Sequence, residues 1–296
     1  MTLSCRACGA AAEPAGQRFG RFAGRDFTFA RCRHCGFGFV VDPLEDLAAI
    51  YDEAYYRGQG ADPLVDYIGE LEAPGRSIRL YEWRGILKAV EALRGPVAGA
   101  RWLDYGCGNG GLVRYVRGRR ALDMMGYEEG WAAQAGREAG IPILDRAALD
   151  ALEDGSCDIV TAVEVIEHMV DPAELLATAR RLLKPGGLLF LTTGNAAPVA
   201  DLARWSYATP EIHVSFFEPR TLAALFERHG LRAEQRGFLP GHDDIIRFKV
   251  LKNLGQRRRG VAEALVPWPL LSRLVDRRYR VTAHPVGWAV SPDPAR

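Results

Sequence analysis

From Ala100 to about Thr193 the chain alternates short apolar runs with amphipathic stretches, and the first join between them is Gly106-Cys107-Gly108-Asn109-Gly110-Gly111. Before it, Arg101–Tyr105 (RWLDY) has the length of a buried strand; after it, LVRYVRG reads as a helix. Repeated strand–helix alternation argues for a parallel sheet covered on both faces, because a parallel crossover needs a helix to bring the chain back. Glycine at the join lets backbone pass close to a ligand, and the helix N-terminus beyond it favours electronegative groups. Further strands are expected near 123–128, 141–145, 157–165, 187–193, 231–238 and 280–290. The fold class is therefore α/β, with a mostly parallel sheet covered on both faces.

The 296 residues, 48% hydrophobic and 25% charged, suit one main domain with an appendage. A net charge of +1 excludes a globally basic nucleic-acid binder. No run of about 18 apolar residues suggests a membrane span. The N-terminal MTLSCRACGA lacks the layout of a signal peptide, so a cytoplasmic location is expected, and with it free thiols rather than disulfides.

Four of the six cysteines form two pairs, Cys5-Arg-Ala-Cys8-Gly9 and Cys32-Arg-His-Cys35-Gly36. Two C-x2-C turns can aim four thiolates at one point, the tetrahedral sulfur set that structural zinc prefers. The residues between them alternate around Phe19, Phe22, Phe27 and Phe29, as short strands would. Residues 1–41 thus read as a zinc ribbon too small to fold without its metal, closed to catalysis, and structural or docking in purpose. A redox pair or unligated thiols is the competing reading. Cys107 and Cys157 have no evident base beside them and read as packed thiols.

Residues 42–97 read as a largely helical connector: Ser77–Leu93 places Ile78, Tyr81, Ile86, Val90 and Leu93 near one stripe, ended by Gly95-Pro96. Upstream, YDEAYYRGQG reads as a loop rather than a buried element. Residues 98–296 form the main domain, with an inserted cap at about 241–279. The cap holds Arg247, Lys249, Lys252, Arg257, Arg258 and Arg259, beside Trp268, Leu270, Leu271 and Leu274. Such a cluster is either a solvated face or a patch for an anionic acceptor, and weak docking on a membrane surface or a protein is a further reading.

The glycine spacing alone also fits a dinucleotide site. Asp104, two residues before Gly106, weighs against that: its carboxylate would repel a pyrophosphate and attract the cationic end of S-adenosylmethionine. Glu128, ending the second strand, can accept from both ribose hydroxyls. The run SCDIVTAVEVIEHMVDP then carries Glu164, Glu167 and His168, and LLKPGGLLFLTT follows. These four motifs, in this order over residues 98–238, resemble the class I S-adenosylmethionine-dependent methyltransferases. The resemblance implies a Rossmann-like sheet of seven strands whose last strand lies antiparallel between the fifth and sixth. It also implies that Asp104, Gly106, Gly108 and Gly110 line the cofactor, Glu128 holds its ribose, Asp145 meets adenine, and Glu164 and His168 sit where donor and acceptor meet. Glu167 reads as a helix-start charge or a site residue, the former preferred.

After the fifth strand, Trp205, Tyr207, His213 and Phe216 are candidate walls for the acceptor, or simply packed aromatics. His213 is the candidate base and Glu211 the alternative. The resulting expectation is methyl transfer to a hydroxyl of a small molecule, a sugar or a natural-product or surface-polysaccharide precursor. The acceptor could carry phosphate, as in a nucleotide sugar or a carrier-linked group. The layout also resembles sugar C-methyltransferases, but only one histidine of their Tyr-His-Glu-His motif stands here, at Pro210-Glu-Ile-His213, and Gly241-His242-Asp243-Asp244 replaces His-Gly-Gly-Ser. Carbon methylation is the runner-up, and a non-catalytic cofactor-binding or docking protein is the second alternative.

Overall fold

The computed structural model describes residues 3–45, 50–51, 53–59, 66–234, 239–274 and 286–290. In chain order the first elements are β1 (Leu3–Ser4), β2 (Ala11–Gly20), β3 (Arg25–Cys32), β4 (Gly38–Val40), α1 (Glu53–Tyr56), α2 (Tyr67–Glu72) and α3 (Arg79–Arg94). There follow β5 (Arg101–Tyr105), α4 (Gly111–Arg117), β6 (Asp123–Tyr127), α5 (Trp131–Glu138), β7 (Ile143–Leu144) and α6 (Arg146–Asp150). The chain continues through β8 (Cys157–Val163), α7 (Ala173–Leu182), β9 (Leu183–Thr192), β10 (Ser215–Phe216) and α8 (Pro219–Arg228), then β11 (Arg232–Glu234), α9 (His242–Asn253) and β12 (Val286–Val290). The seven strands expected of the main domain are thus β5–β9, β11 and β12; parts of the last two expected ranges, 235–238 and 280–285, lie outside the described residues. The chain divides into two compact units, one of residues 1–50, 153–235 and 279–296, the other of 51–152 and 236–278.

In the first unit β8 and β9 are parallel, and β12 runs antiparallel to both β9 and β11. The expected antiparallel last strand is therefore present. β9 starts at Leu183, earlier than expected, and takes in the LKPGG run with a register shift opposite Cys157/Ile159. α8 begins where Glu218 and Thr221 form a capping box around Pro219, which satisfies the first-turn donors.

The N-terminal strands are antiparallel in the order β1-β2-β3-β4-β10, so a strand from residues 215–216 completes the ribbon's sheet. Phe27 and Phe29 point inward and share an apolar cluster with Val40, Ala196, Leu202, Val214 and Phe216, while Phe19 and Phe22 are exposed. Phe216, a candidate acceptor wall by sequence, is 1% exposed and packs on Phe29 as core.

In the second unit β5, β6 and β7 are parallel neighbours. α3 buries Tyr81, Trp83, Ile86, Leu87 and Val90, much the stripe its periodicity predicts, and ends at Gly95. α9 packs on α3 through a close backbone approach: a Cβ on Gly241, whose φ is +93°, would come within 2.2 Å of the Gly85 carbonyl oxygen. Arg84 and Lys88 of α3 pair with the buried Asp244 of α9.

The expected basic cap divides. Lys249 is buried beside Glu82 and Arg247 lies 3.8 Å over the Tyr81 ring, whereas Arg257, Arg258 and Arg259 are exposed, with the Arg259 Nε donating to the Tyr81 hydroxyl. Among the described residues no helix is long and apolar enough to cross a membrane.

Candidate functional site

In the first unit the four cysteines converge. Cys5 and Cys35 sulfurs are 3.6 Å apart, as are those of Cys8 and Cys32, and all four lie within 4.8 Å of one another. A tetrahedral zinc with bonds of about 2.3 Å places its sulfurs about 3.8 Å apart, so the set fits that metal. A hydrogen bond from Cys35 holds the Cys5 thiol down to about 5, the thiolate side that a metal ligand needs. The Thr221 hydroxyl donates to the Cys35 carbonyl, and Arg228 reaches the Ala7 carbonyl, tying both cysteine turns to α8.

The second unit carries the glycine loop. Gly106, Gly108 and Gly110 have φ of +70°, +56° and +76°. A Cβ on Gly108 would stand 2.7 Å from the Tyr67 ring, so a side chain is excluded at that position by both conformation and space. Asn109 locks the loop: its amide donates to the Tyr67 carbonyl and its oxygen accepts from the Gly111 N–H. Asp104 is buried at the end of β5. The Glu128 carboxylate accepts from the N–H groups of Gly108 (3.2 Å), Glu129 (3.0 Å) and Gly130 (2.9 Å), which fixes it beside the loop. A glycine turn held in left-handed conformation, a buried carboxylate and a fixed ribose-type acceptor together fit S-adenosylmethionine.

One assignment changes here. YDEAYY is not an open loop: Tyr55 and Tyr56 are buried, and Tyr56 stacks on Trp131 at 5.8 Å and meets Tyr67 edge-on. These aromatics flank Glu128, whose charge, after burial, raises the Tyr56 phenol. Asp145 is exposed and caps α6 by accepting from Ala148. Cys107 is a packed thiol, pushed well above its usual range by burial and then by Asp104.

The first unit also holds a polar cluster at the exit of β8. Glu164 has a left-handed backbone, φ +54°, unusual for a residue with a side chain, and its carboxylate accepts from the Thr192 hydroxyl. Glu167, which the sequence reading favoured as a helix-start charge, is fully buried and belongs to the cluster. It accepts from the Tyr207 hydroxyl (2.6 Å) and the Thr193 hydroxyl (2.9 Å). Burial, then the Glu164 charge, pushes its carboxyl up to about 8. The His213 ring stacks on Tyr207 at 4.2 Å and lies 4.8 Å from His168. Its Nδ1 is 2.5 Å from the Tyr207 carbonyl oxygen, which can only accept, so Nδ1 carries hydrogen and the lone pair of the neutral ring is on Nε2. The ligating atoms of Glu167, His168 and His213 are all within 4.8 Å, close enough to share a metal ion. Glu211, the alternative base, is 2% exposed and instead accepts from the Phe22 N–H of the ribbon.

The methyltransferase domain family matches residues 76–236, more than half of the chain. The chain belongs to that family. The ubiquinone biosynthesis O-methyltransferase of Xanthomonas euvesicatoria pv. vesicatoria is 35% identical to the methyltransferase over 181 residues, 55% of this chain and 75% of that protein. The identically named protein of Methylococcus capsulatus is 33% identical over 156 residues, 46% of this chain. The chain spans 65% of that relative's length, just under two thirds. Geranyl diphosphate C-methyltransferase of Streptomyces coelicolor A3(2), solved with Mg2+, geranyl diphosphate and S-adenosyl-L-homocysteine, shares the fold. It aligns at a TM-score of 0.50 and 20% identity over 86% of this chain and 90% of that one. The chain is thus a methyltransferase-family protein of α/β fold, with a four-cysteine cluster N-terminal to the matched domain.

Proposed function

We propose that this methyltransferase methylates a ring hydroxyl of a small molecule, with His213 taking the hydroxyl proton. The hydrogen bond from Nδ1 to the Tyr207 carbonyl carries this reading, because it sets the tautomer a base needs. The O-methyltransferase names of its relatives support oxygen as the acceptor. Trp205, Tyr207 and His213 form a ladder of rings 4.8 and 4.2 Å apart, which orders the His213 ring against its aromatic neighbours.

Bound S-adenosylmethionine supplies a methyl group on a cationic sulfur. The buried Asp104 favours that positive charge, Glu128 receives ribose hydroxyls, and the Tyr56–Trp131 stack offers a face for adenine. Because displacement at the methyl carbon is direct, these residues orient and exclude water, and one base suffices. Glu167 holds the Tyr207 hydroxyl and so the ring on which His213 rests. Carbon methylation loses support at Asp244, which stands in the second sugar motif but is spent on Arg84 and Lys88.

Incubation with methyl-labelled cofactor and a panel of phenols and nucleotide sugars tests the proposal. Label on oxygen of one class supports it and names the class. Label on a sugar carbon overturns it in favour of the C-methyltransferase reading, and tight cofactor binding without turnover on any acceptor leaves only a binding protein.

A further inference from the structure

The run from Asn195 to Val214, which carries Tyr207 and His213, has little regular structure of its own, and its backbone is held from the ribbon. Arg18 on β2 donates from Nη1 to the Trp205 carbonyl (2.8 Å) and the Ala208 carbonyl (3.1 Å). Arg31 on β3 donates to the carbonyls of Val199 (2.5 Å) and Ala196 (2.7 Å). At the far end β4 pairs with β10, and the Val40 N–H donates to the Val214 carbonyl. Near the middle, the Phe22 N–H donates to the Glu211 carboxylate. Gly20 leaves room for that carboxylate, since a Cβ there would lie 2.5 Å from its Oε1.

The two Arg18 contacts bracket Tyr207. The peptide between Trp205 and Ala208 is thereby fixed on both sides, and the carbonyl it aims is the one that receives Nδ1–H of His213. Both bonds leave one Nη1, whose two N–H groups lie in the fixed plane of the guanidinium; an ammonium is a compact point charge on a flexible stem and fixes no such plane.

We propose that the four-cysteine ribbon is the scaffold of the proton-handling loop, and that Arg18 is a positioning residue that acts on His213 through the Tyr207 carbonyl. The ribbon would then serve the reaction from within its own chain rather than a separate partner. The proposal rests on the reading of His213 as the base only where turnover is concerned; the effect on the histidine ring is independent of it.

The test compares the full chain with Arg18→Met and Arg18→Lys, reading the nitrogen resonances of the His213 ring by NMR, turnover, cofactor affinity and zinc content. Arg18→Met is expected to lose the defined Nδ1–H tautomer of His213 and to lower kcat about 10- to 100-fold, as a misplaced catalytic group does. Cofactor affinity and zinc content should stay within about twofold of the parent, and Arg18→Lys should recover only part of kcat. An unchanged His213 tautomer in Arg18→Met would overturn the proposal whatever the activity. So would loss of zinc or fold in that variant together with an unchanged tautomer in Glu211→Ala, which removes a second ribbon contact to the same loop. If the ring responds while His213→Ala retains full turnover, the scaffold stands and the base assignment alone fails.

Discussion

Tyr207 holds two partners at once: its carbonyl oxygen receives Nδ1 of His213 at 2.5 Å, and its hydroxyl donates to Glu167 at 2.6 Å. One residue thus couples the candidate base to a fully buried carboxyl, and the consequences can be separated by mutation.

His213→Ala should lower turnover about 10²- to 10⁴-fold, the usual contribution of a placed general base, with cofactor affinity nearly unchanged. The Gly106–Gly111 loop and Glu128 keep their own hydrogen bonds in such a variant. Single-turnover rates and calorimetry on the same preparation check both halves. Turnover within about threefold of the parent would send the search for a base elsewhere, and Glu211 is a poor substitute because its carboxylate is engaged by Phe22.

Glu167 should shape the pH dependence of stability. Its folded carboxyl sits at about 8, raised from an ordinary 4.5 mainly by burial. Below about 4.5 the folded and unfolded chains both hold the proton and the group is neutral in its effect. As pH rises from there, the unfolded chain releases the proton first, so this group's contribution falls until the pH passes about 8. Glu167→Gln should therefore lose less Tm than the parent between pH 5 and 8, in melts over about that range. A divalent cation shared by Glu167, His168 and His213 would favour the ionised carboxylate and reverse the trend, so the same melts with and without added Mg2+ or Mn2+ show whether that cluster takes metal.

The parts of this fold and site that were legible in the sequence are local ones. RWLDY, the glycine turn and the Ser77–Leu93 stripe declare themselves within a few residues, and the doubled C-x2-C needs only its spacing. What was misread depends on partners distant in sequence. Tyr56 reads as a loop tyrosine until Trp131 is laid against it. Glu167 reads as a helix-start charge because nothing nearby in sequence shows that Thr193 and Tyr207 will bury it. The basic cap split for the same reason: Arg247 and Lys249 find Tyr81 and Glu82 on a helix more than a hundred and fifty residues earlier, while Arg257, Arg258 and Arg259 stay exposed.

The ribbon should bind about one zinc per chain. The sulfur separations of 3.6 Å suit the metal, and a bound ion would add to the stability that the ribbon draws from the core it shares with Ala196, Leu202 and Phe216. Elemental analysis of protein purified without chelator checks the stoichiometry. Cys32→Ser should lose the metal; retention of both zinc and fold in that variant would count against the site.

Glu128→Ala should weaken binding of S-adenosylmethionine and S-adenosylhomocysteine about 30- to 150-fold, since charge-assisted contacts to two hydroxyls are worth about 2–3 kcal/mol. The carboxylate also braces the loop through Gly108, Glu129 and Gly130, so part of that loss comes from a looser turn. Glu128→Gln separates the two in part. Its amide oxygen can stand in for Oε1 and accept from Glu129 and Gly130, but its NH2 would face the Gly108 N–H and it carries no charge for the ribose, so Gln should keep part of the brace and recover only part of the affinity. Calorimetry at fixed salt measures the series. Equal affinity in parent and Glu128→Ala would place the ribose elsewhere, and preference for NADH over the methyl donor would remove the cofactor assignment itself, against the repulsion expected from the buried Asp104.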